Sequence, residues 1–372
     1  MATKGPVRII GSGLLGASIG LGLSRAGIAV QLEDASPAAR ALARDVGAGE
    51  LLHDLQEDPV LVVVAVPPDV TSDVVRAALL AHPQAFVTDV ASVKSVLLEE
   101  LRDAVDTGEL STADLARYVG GHPMAGRERS GASAADPDLF SGRPWVLAPH
   151  DGSDPEAILT VRTLAVDLGA TPTVMATREH DDAVALVSHV PQVLSSIVAA
   201  RLVDASDGAL ALAGQGLGDV TRIAASDPRL WAAILVGNAG PVAAQLAQVR
   251  TDLDELITAL DRAALEGPLA PGAMAAASHT VSRGNAGVSR IPGKHGGVRR
   301  SYGEVTVLVP DSPGELGRLF ATVGELDINI EDFAMEHAPA QKVGLAMLSV
   351  LPESVEALQE GLDALGWRVV IA

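Results

Sequence analysis

Three glycines near the N-terminus constrain the fold more than any other feature of the sequence. The segment Gly11-Ser12-Gly13-Leu14-Leu15-Gly16 follows a short apolar run, Val7 to Ile10, and opens a helical pattern. In this context the first glycine permits a tight turn, the second lets the backbone approach a pyrophosphate, and the third lets the helix pack closely on the strand. The start of the helix then faces the negative charge. The segment therefore predicts a Rossmann-type dinucleotide-binding turn to which all six residues contribute.

Two further residues are predicted to face the same ligand. Asp34, with Glu33 beside it, ends the next apolar run, Ala29 to Leu32. A carboxylate there accepts hydrogen bonds from ribose hydroxyls and repels a 2′-phosphate, which favours NAD over NADP; the alternative is a solvated acid at a strand end. Pro67 ends a third apolar run, since proline gives a sheet no N–H donor. We expect that strand end to open onto the ligand crevice.

Hydrophobic periodicity divides the chain into successive domains. Short runs rich in Val, Ile and Leu alternate with helical stretches up to about Val174, as in a parallel sheet covered on both faces. From about Thr177 long helical patterns follow, and the last part has the order βαββαβ. The predicted fold is α/β, with a Rossmann-type domain over 1–174, an all-helical domain over 175–283, a linker over 284–301 and a small domain over 302–372.

The helical domain is predicted to form a homodimer. One amphipathic helix of this domain carries an apolar stripe between charged residues, and an all-helical domain that shares its core with a second subunit would cover that stripe. The stripe consists of Leu246, Val249, Leu253, Leu256, Ile257 and Leu260. The glycine-rich linker that follows contains several basic residues, and it is either a solvated hinge or a loop that touches an anionic ligand.

The small domain begins its first helix with a clear start signal. Ser312 is the expected N-cap, Pro313 the first helical residue and Glu315 the acid three positions after the cap. The predicted apolar face of this helix consists of Leu316, Leu319, Phe320 and Val323.

Composition excludes several classes of function. The net charge of −20 disfavours nucleic acid and anionic membrane surfaces as partners. The absence of cysteine excludes disulfides and thiolate metal sites, and no metal is predicted. No secretory leader is apparent, and polar residues interrupt the most apolar helical stretch, Ala183 to Val203. We expect a cytoplasmic enzyme that does not span a membrane.

Two segments carry the expected chemistry. Thr88 to Lys94 follows a parallel strand and so faces the crevice; within it Ser92 orients a catalytic base or caps a helix, and Lys94 attracts an anion. His122 lies in Gly120-Gly121-His122-Pro123-Met124-Ala125-Gly126, where the small residues leave room for a ligand. A histidine in such a loop, after a nucleotide-binding core, is a candidate catalytic residue.

These motifs, in this order and spacing, resemble the prephenate dehydrogenase family. The resemblance rests on the glycine-rich turn, the Ser92 and His122 segments, Ser188-His189-Val190-Pro191 and Asp219-Val220-Thr221-Arg222, followed by Ser226-Asp227-Pro228 and Trp231. It covers nearly the whole chain. It implies NAD-dependent oxidative decarboxylation: hydride leaves the ring carbon that bears the hydroxyl, the ring carboxylate departs as carbon dioxide, and the ring becomes aromatic.

The resemblance also implies roles for individual residues. His122 is the base or acceptor for the substrate hydroxyl, Ser92 fixes its orientation, and Arg222 anchors a substrate carboxylate. His189 either contacts the substrate or makes a structural hydrogen bond. Glu128 either gates the pocket through an ion pair with Arg222 or is a surface acid. Trp231 is expected to line the substrate pocket.

The last domain resembles an ACT domain, most clearly at Asp311 to Leu316 and Asp327 to Ile330. This implies paired domains that bind an amino acid, with tyrosine as the candidate, or a domain that serves assembly alone. Three alternatives remain for the whole chain: arogenate as the substrate, a non-catalytic amino-acid sensor, and a related β-hydroxyacid dehydrogenase. The last is expected to have a catalytic lysine where this chain has His189.

Overall fold

The structure, a computed structural model, describes the chain except for residues 52–56, 128, 130, 293–301, 338–342 and 371–372. The contacts within the chain divide it into two units, Met1–Arg250 and Thr251–Ala372.

An eight-stranded sheet forms the centre of the first unit, in the order β3-β2-β1-β4-β5-β6-β7-β8. Its strands are β1 Val7–Ile10, β2 Val30–Glu33, β3 Glu50–Leu51, β4 Leu61–Val64, β5 Phe86–Asp89, β6 Tyr118–Pro123, β7 Pro144–Ala148 and β8 Thr171–Val174. The strand order reverses between β1 and β4, and ligands of such sheets bind where the carboxyl ends of the strands diverge at this point. The Rossmann-type prediction is confirmed.

In the described part of the chain, six helices flank the sheet: α1 Leu14–Arg25, α2 Pro37–Asp45, α3 Pro68–Ala81, α4 Ser95–Asp106, α5 Thr112–Ala116 and α6 Pro155–Asp167. Strand β4 shows why helices cover both faces of the sheet. Leu61 and Val63 lie in one hydrophobic core, and Val62 and Val64 lie in the other. Because successive side chains of a strand point to opposite faces, the unbroken apolar run places a core on each side.

The expectation of a parallel sheet fails at one position. β7 runs antiparallel to β6, with His122 opposite Val146, while β7 and β8 are parallel. A parallel neighbour requires a crossover, usually a helix, to bring the chain back. Between β6 and β7 the only helical element in the described part is a short 3₁₀ turn, Ala132–Ala134, and the chain returns in the opposite direction.

The helical region consists of α7 Thr177–Val184, α8 Val190–Ala200, α9 Asp207–Leu210, α10 Gln215–Thr221, α11 Pro228–Gly237, α12 Ala239–Glu266 and α13 Ala273–Ser289. A π-helical turn, Ala185–His189, joins α7 to α8. Pro191, at the second position of α8, has no N–H to donate to the preceding turn, and the wider π turn accommodates this. Such turns often occur at functional sites.

The linker predicted over 284–301 begins later than expected. Helix α13 continues to Ser289, six residues into that segment. The alanine-rich start of α13 has strong helix propensity, and the helix extends over Gly284 and Gly287 despite their preference for other conformations. Most of the remainder of the predicted linker lies outside the described residues.

The C-terminal part has the βαββαβ order that the sequence predicts. Its elements are β9 Gly303–Pro310, α14 Glu315–Glu325, β10 Asp332–His337, β11 Val343–Val350, α15 Val355–Ala364 and β12 Arg368–Val370. The four strands form an antiparallel sheet in the order β10-β11-β9-β12.

The predicted start of α14 is wrong by two residues. Gly314, in the left-handed region with φ of 92°, turns the chain immediately before the helix, and Ser312 is not the N-cap. A glycine adopts this φ without steric penalty, so the turn ends there. On the predicted apolar face, Leu319 is buried, whereas Phe320 is 40% exposed and packs edge-on against Phe333.

Candidate active site

The glycine-rich turn lies at the carboxyl end of β1, beside the end of β4. Gly11 has a φ of 104°, and a Cβ there would overlap the carbonyl oxygen of Ala65. A Cβ at Gly16 would overlap the carbonyl oxygen of Gly11. A Cβ at Gly13 would meet no atom within 4 Å. Gly11 and Gly16 are therefore required by close packing within the protein, whereas the space beside Gly13 is open to a ligand.

The start of α1 fits the pyrophosphate of a dinucleotide. Gly13 is the N-cap, no side chain caps the helix, and the first turn, which includes Leu14 and Leu15, contains no acid. The hydroxyl of Ser12 is buried and has no hydrogen-bond partner among the described residues. Backbone N–H groups at a helix start attract anions. An NAD molecule bound here would be held by these groups.

Asp34 connects the turn to the end of β2. One carboxylate oxygen accepts the N–H of Ser12 at 2.6 Å and the other accepts the N–H of Ser36 at 2.7 Å. The carboxylate therefore lies against the glycine-rich turn, where a ribose would follow the pyrophosphate. Pro67 is exposed, after β4 and at the start of α3, on the same side of the sheet.

The segment after β5 is held by a buried ion pair. Asp89 pairs with the ammonium of Lys94, and both side chains are about 1% exposed or less. Asp89 also accepts a hydrogen bond from the Tyr118 hydroxyl at 2.7 Å and from the Ala91 N–H at 2.7 Å. Burial, followed by the Asp89 charge, raises the pKa of Tyr118 well above its ordinary value. The prediction that Lys94 attracts an anionic ligand is wrong, because Asp89 already neutralises it.

His122 lies near the end of β6, in a hydrogen-bonded chain of buried side chains. Its Nδ1 is 2.8 Å from Nε2 of His180, and Nδ1 of His180 is 2.8 Å from Oδ1 of Asp181. Asp181 also accepts the N–H groups of Lys94 at 2.9 Å and Ser95 at 2.8 Å. Helix α7 thus supplies two side chains that join the end of β6 to the start of α4.

The environment of His122 favours a neutral imidazole. Burial is the main cause that lowers its pKa well below the ordinary value, and His180, Lys94 and His189 lower it further. Ser92 lies in the segment that Lys94 anchors and is half-buried, but among the described residues it makes no hydrogen bond. Among the described residues, the hydrogen bond to Nδ1 of His122 comes from His180, and the orienting role of Ser92 stays a prediction.

His189 lies in the π turn and is also buried. Its Nδ1 is 3.1 Å from the amide nitrogen of Asn238, which donates a second hydrogen bond to the carbonyl oxygen of Asp181. Burial lowers the pKa of His189 to about 4. The ring of Trp231 stands edge-on to it, with 6.1 Å between the ring centres. The structure thus brings together two of the predicted substrate-binding residues.

Arg222 is exposed, in a 3₁₀ turn, Arg222–Ala224, that packs against α8. Glu128 lies outside the described residues, so its expected ion pair with Arg222 stays a prediction.

His180, Asp181 and Asn238 are the residues that the sequence analysis missed. His180 and Asp181 share the buried face of α7 with Val184, and Asn238 is buried between α11 and α12. Polar residues at core positions of a helix are the signal, because such groups are buried only with hydrogen-bond partners. The surrounding acids, Glu179 and Asp182, hide that signal in the sequence.

Two family models match the chain. One, described as prephenate dehydrogenase, nucleotide-binding domain, matches residues 19–174. The other, described as prephenate dehydrogenase, dimerization domain, matches residues 176–270.

Individual relatives agree with these matches. The chain is 36% identical over 365 residues to a probable prephenate dehydrogenase of Streptomyces niveus, NovF, covering 96% of this chain and 98% of that protein. It is similar to the crystal structure of prephenate dehydrogenase from A. aeolicus in complex with hydroxyphenyl propionate and NAD⁺, with a TM-score of 0.63, 25% identity and coverage of 75% and 97%. Synechocystis arogenate dehydrogenase gives a TM-score of 0.58 and 26% identity, with coverage of 75% and 99%.

Proposed function

The chain belongs to the prephenate dehydrogenase family, and we propose that it catalyses the NAD-dependent oxidative decarboxylation of prephenate to 4-hydroxyphenylpyruvate. One observation of the site supports this above all. His122 is held neutral, with Nδ1 hydrogen-bonded and with no described partner on Nε2, at the end of a strand of the dinucleotide-binding sheet. A neutral ring nitrogen there suits the acceptance of a hydroxyl proton from a substrate next to the cofactor.

The protein's share of the reaction is binding, alignment and movement of one proton. NAD, when bound, supplies the acceptor for the hydride that leaves the ring carbon bearing the hydroxyl. Nε2 of His122 takes the hydroxyl proton as that carbon becomes a carbonyl carbon. The ring carboxylate then departs as carbon dioxide, and aromatisation provides the driving force. Correct alignment of the ring beside the cofactor removes much of the remaining activation barrier.

The other predicted site residues are assigned to the substrate. Arg222 anchors a carboxylate through its planar guanidinium, which matches the two oxygens of such a group. His189 offers Nε2 to the substrate, since its Nδ1 is bonded to Asn238. Trp231, whose ring contacts His189, is assigned to line the substrate pocket, and Glu128, outside the described residues, is assigned as its gate. Ser92, which has no hydrogen-bond partner among the described residues, is assigned to bond the substrate hydroxyl.

Arogenate is the second candidate substrate. It has an amine where prephenate has a keto group, while the reacting ring is the same. The similarity to Synechocystis arogenate dehydrogenase supports arogenate as this second candidate. The test is NADH formation on mixing purified protein and NAD with prephenate and, in parallel, with arogenate. NADH from either substrate supports the reaction and identifies the preferred substrate, whereas no NADH from both would refute the proposed function.

We propose that the active protein is a cytoplasmic homodimer. The match to a dimerization domain supports a dimer, and so does the predicted apolar stripe, in which Leu253, Ile257 and Leu260 are each about half exposed. The helical run Thr177–Ala200 is long and apolar enough to cross a membrane, with a mean hydropathy of 1.6. Its buried face carries His180, Asp181 and Gln192, as in a helix that packs within a protein.

We propose that the C-terminal domain is an ACT-like domain that binds tyrosine and lowers the activity. The βαββαβ order and the turn at Gly314 before α14 support this assignment. Tyrosine is the end product of the pathway to which the proposed reaction belongs, so its binding would limit synthesis. We expect added tyrosine to inhibit NADH formation without competing with NAD or with the ring substrate.

A further inference from the structure

The hydrogen bonds around Asp181 determine where the proton of His180 lies. Asp181 receives the backbone N–H groups of Lys94 and Ser95, one on each carboxylate oxygen. Burial raises the pKa of Asp181, but hydrogen bonds from His180 and Ser95 outweigh it, and the net pKa is lower than usual. Asp181 is therefore an acceptor on every side. The proton on the line between Asp181 and His180 must belong to Nδ1 of His180.

The proton on His180 determines in turn where the proton of His122 lies. A neutral imidazole has one N–H, so Nε2 of His180 is an acceptor when Nδ1 is the donor. The atom 2.8 Å away, Nδ1 of His122, must then donate. Once Nδ1 of neutral His122 holds its proton, Nε2 has a free lone pair. With both rings neutral, the carboxylate of Asp181 thus determines the direction of both hydrogen bonds.

We propose that His180 and Asp181 are positioning residues, which hold His122 in the tautomer with the proton on Nδ1. This inference rests on the proposed function for its consequence, because only this tautomer leaves Nε2 able to take the substrate's hydroxyl proton. When Nε2 takes that proton, His122 becomes an imidazolium that still donates from Nδ1 to His180. His180 in turn donates from Nδ1 to Asp181, whose negative charge stabilises the new positive charge.

The geometry supports an orienting role for this pair. The rings of His122 and His180 are nearly perpendicular, at 76°, with 5.0 Å between their centres, so the contact is a directed edge hydrogen bond and not a stack. His180 is completely buried and Asp181 nearly so. A buried pair of this kind costs desolvation and contributes little net stability, but it specifies orientation.

Nitrogen NMR of the ring atoms tests the tautomer directly. The chain has nine histidines, so selective ¹⁵N-histidine labelling, with the His122→Gln variant for assignment, identifies the signals of His122. In the full-length protein without substrate we expect a protonated Nδ1 and an unprotonated Nε2 on His122. A protonated Nε2 in the neutral ring would overturn the proposal. This measurement stands independently of whether prephenate or arogenate is the substrate.

Two substitutions at position 180 separate orientation from packing. His180→Gln keeps an acceptor toward His122 and a donor toward Asp181, whereas His180→Leu removes both. We expect His180→Gln to retain the Nδ1–H tautomer and most of the activity. His180→Leu should shift the proton of His122 toward Nε2 and lower kcat by roughly 100-fold, the lower end of what a positioned base contributes. The NAD affinity should stay within about twofold, since the dinucleotide site is untouched.

The outcomes distinguish the inference from the proposed function. An unchanged tautomer and an unchanged kcat in a folded His180→Leu protein would refute the positioning role. If that variant does not fold, His180→Gln and the tautomer of the unmodified protein still decide the question. If the unmodified protein forms no NADH from either substrate, the proposed function fails, while the ring signals continue to test the tautomer.

Discussion

The open space beside Gly13 leads to a prediction that separates binding from folding. In the Gly13→Ala variant the new methyl group meets no protein atom, and the backbone angles of Gly13, φ −74° and ψ −162°, are accessible to alanine. Alanine reduces the conformational freedom of the unfolded chain, which raises the free energy of unfolding. It is also a poorer N-cap than glycine, which lowers that free energy. We therefore expect the free energy of unfolding to change by about 1 kcal/mol or less.

NAD binding should respond much more strongly. The pyrophosphate has to approach the backbone at this point, and the methyl group would keep it from the N–H groups of the turn. One hydrogen bond to a charged group contributes about 1.5–3 kcal/mol. Its loss corresponds to a rise in the NAD dissociation constant of roughly 10- to 150-fold, at 1.4 kcal/mol for each factor of ten.

Gly16→Ala is the matched control, because there the methyl group collides with the backbone of Gly11. That collision moves α1 away from β1, and overpacking of this kind costs about 1–3 kcal/mol of stability in addition to the loss of NAD affinity. Urea unfolding and calorimetric titration with NAD measure the two quantities separately. If Gly13→Ala binds NAD as tightly as the unmodified protein, the pyrophosphate does not lie at this turn and the reasoning is refuted.

His122→Asn should lower turnover by roughly 100- to 10,000-fold with the NAD affinity retained, and unchanged turnover would remove His122 from the mechanism. Asp34→Asn should raise the KM for NAD and increase the use of NADP, because the charge that repels a 2′-phosphate is gone. If the variant still prefers NAD over NADP to the same degree, a residue other than Asp34 determines the cofactor selectivity. Folding lowers the pKa of His189 from 6.5 to about 4. Between these two pH values His189 is neutral in the folded protein, whereas in the unfolded chain it takes up a proton. The stability is therefore fully present above pH 6.5 and is lost as the pH falls toward 4. His189→Gln should therefore flatten the pH dependence of urea unfolding by roughly 1.4 kcal/mol per pH unit in that range, and an unchanged slope would mean that His189 is charged in the folded protein. A chain that ends at Arg300 should form NADH without tyrosine inhibition, and inhibition that persists would locate tyrosine in the active site.

Local pattern was enough to predict the nucleotide-binding half of the fold. β1 has the predicted bounds, and β4 and β5 lie within the apolar runs Val60 to Val66 and Phe86 to Val90, from which the sequence predicts strands. Each is buried on both faces, so its signal is a continuous apolar run that few other structures produce. The glycine-rich turn was equally predictable, since its requirements lie within one strand–turn–helix unit.

Features that depend on contacts between distant parts of the chain were less predictable from the sequence. Whether β7 runs parallel or antiparallel depends on the path between two strands, and no local pattern records it. The partner of His122 was assigned to Ser92, which is nearer in the chain, whereas His180 is 58 residues away. Lys94 looks like a free cation in the sequence, and only the folded protein shows that Asp89 neutralises it.

Asp89 and Asp181 together explain how His122 is held. Asp89 accepts hydrogen bonds from the turn that follows β5 and, at 3.4 Å, from the N–H of Gly121, the residue before His122. A Cβ at Gly121 would press against the carbonyl oxygen of Asp89, so the close approach of β6 to β5 depends on that glycine.

Asp89 therefore determines where the backbone of His122 lies, and Asp181, through His180, determines how its ring is turned and protonated. Lys94 joins the two arrangements, because its ammonium pairs with Asp89 and its N–H bonds to Asp181. Buried ion pairs add little net stability after desolvation. Their contribution here is instead positional: a base near a bound cofactor has to be accurate to a fraction of an ångström, and rigid buried neighbours provide that accuracy.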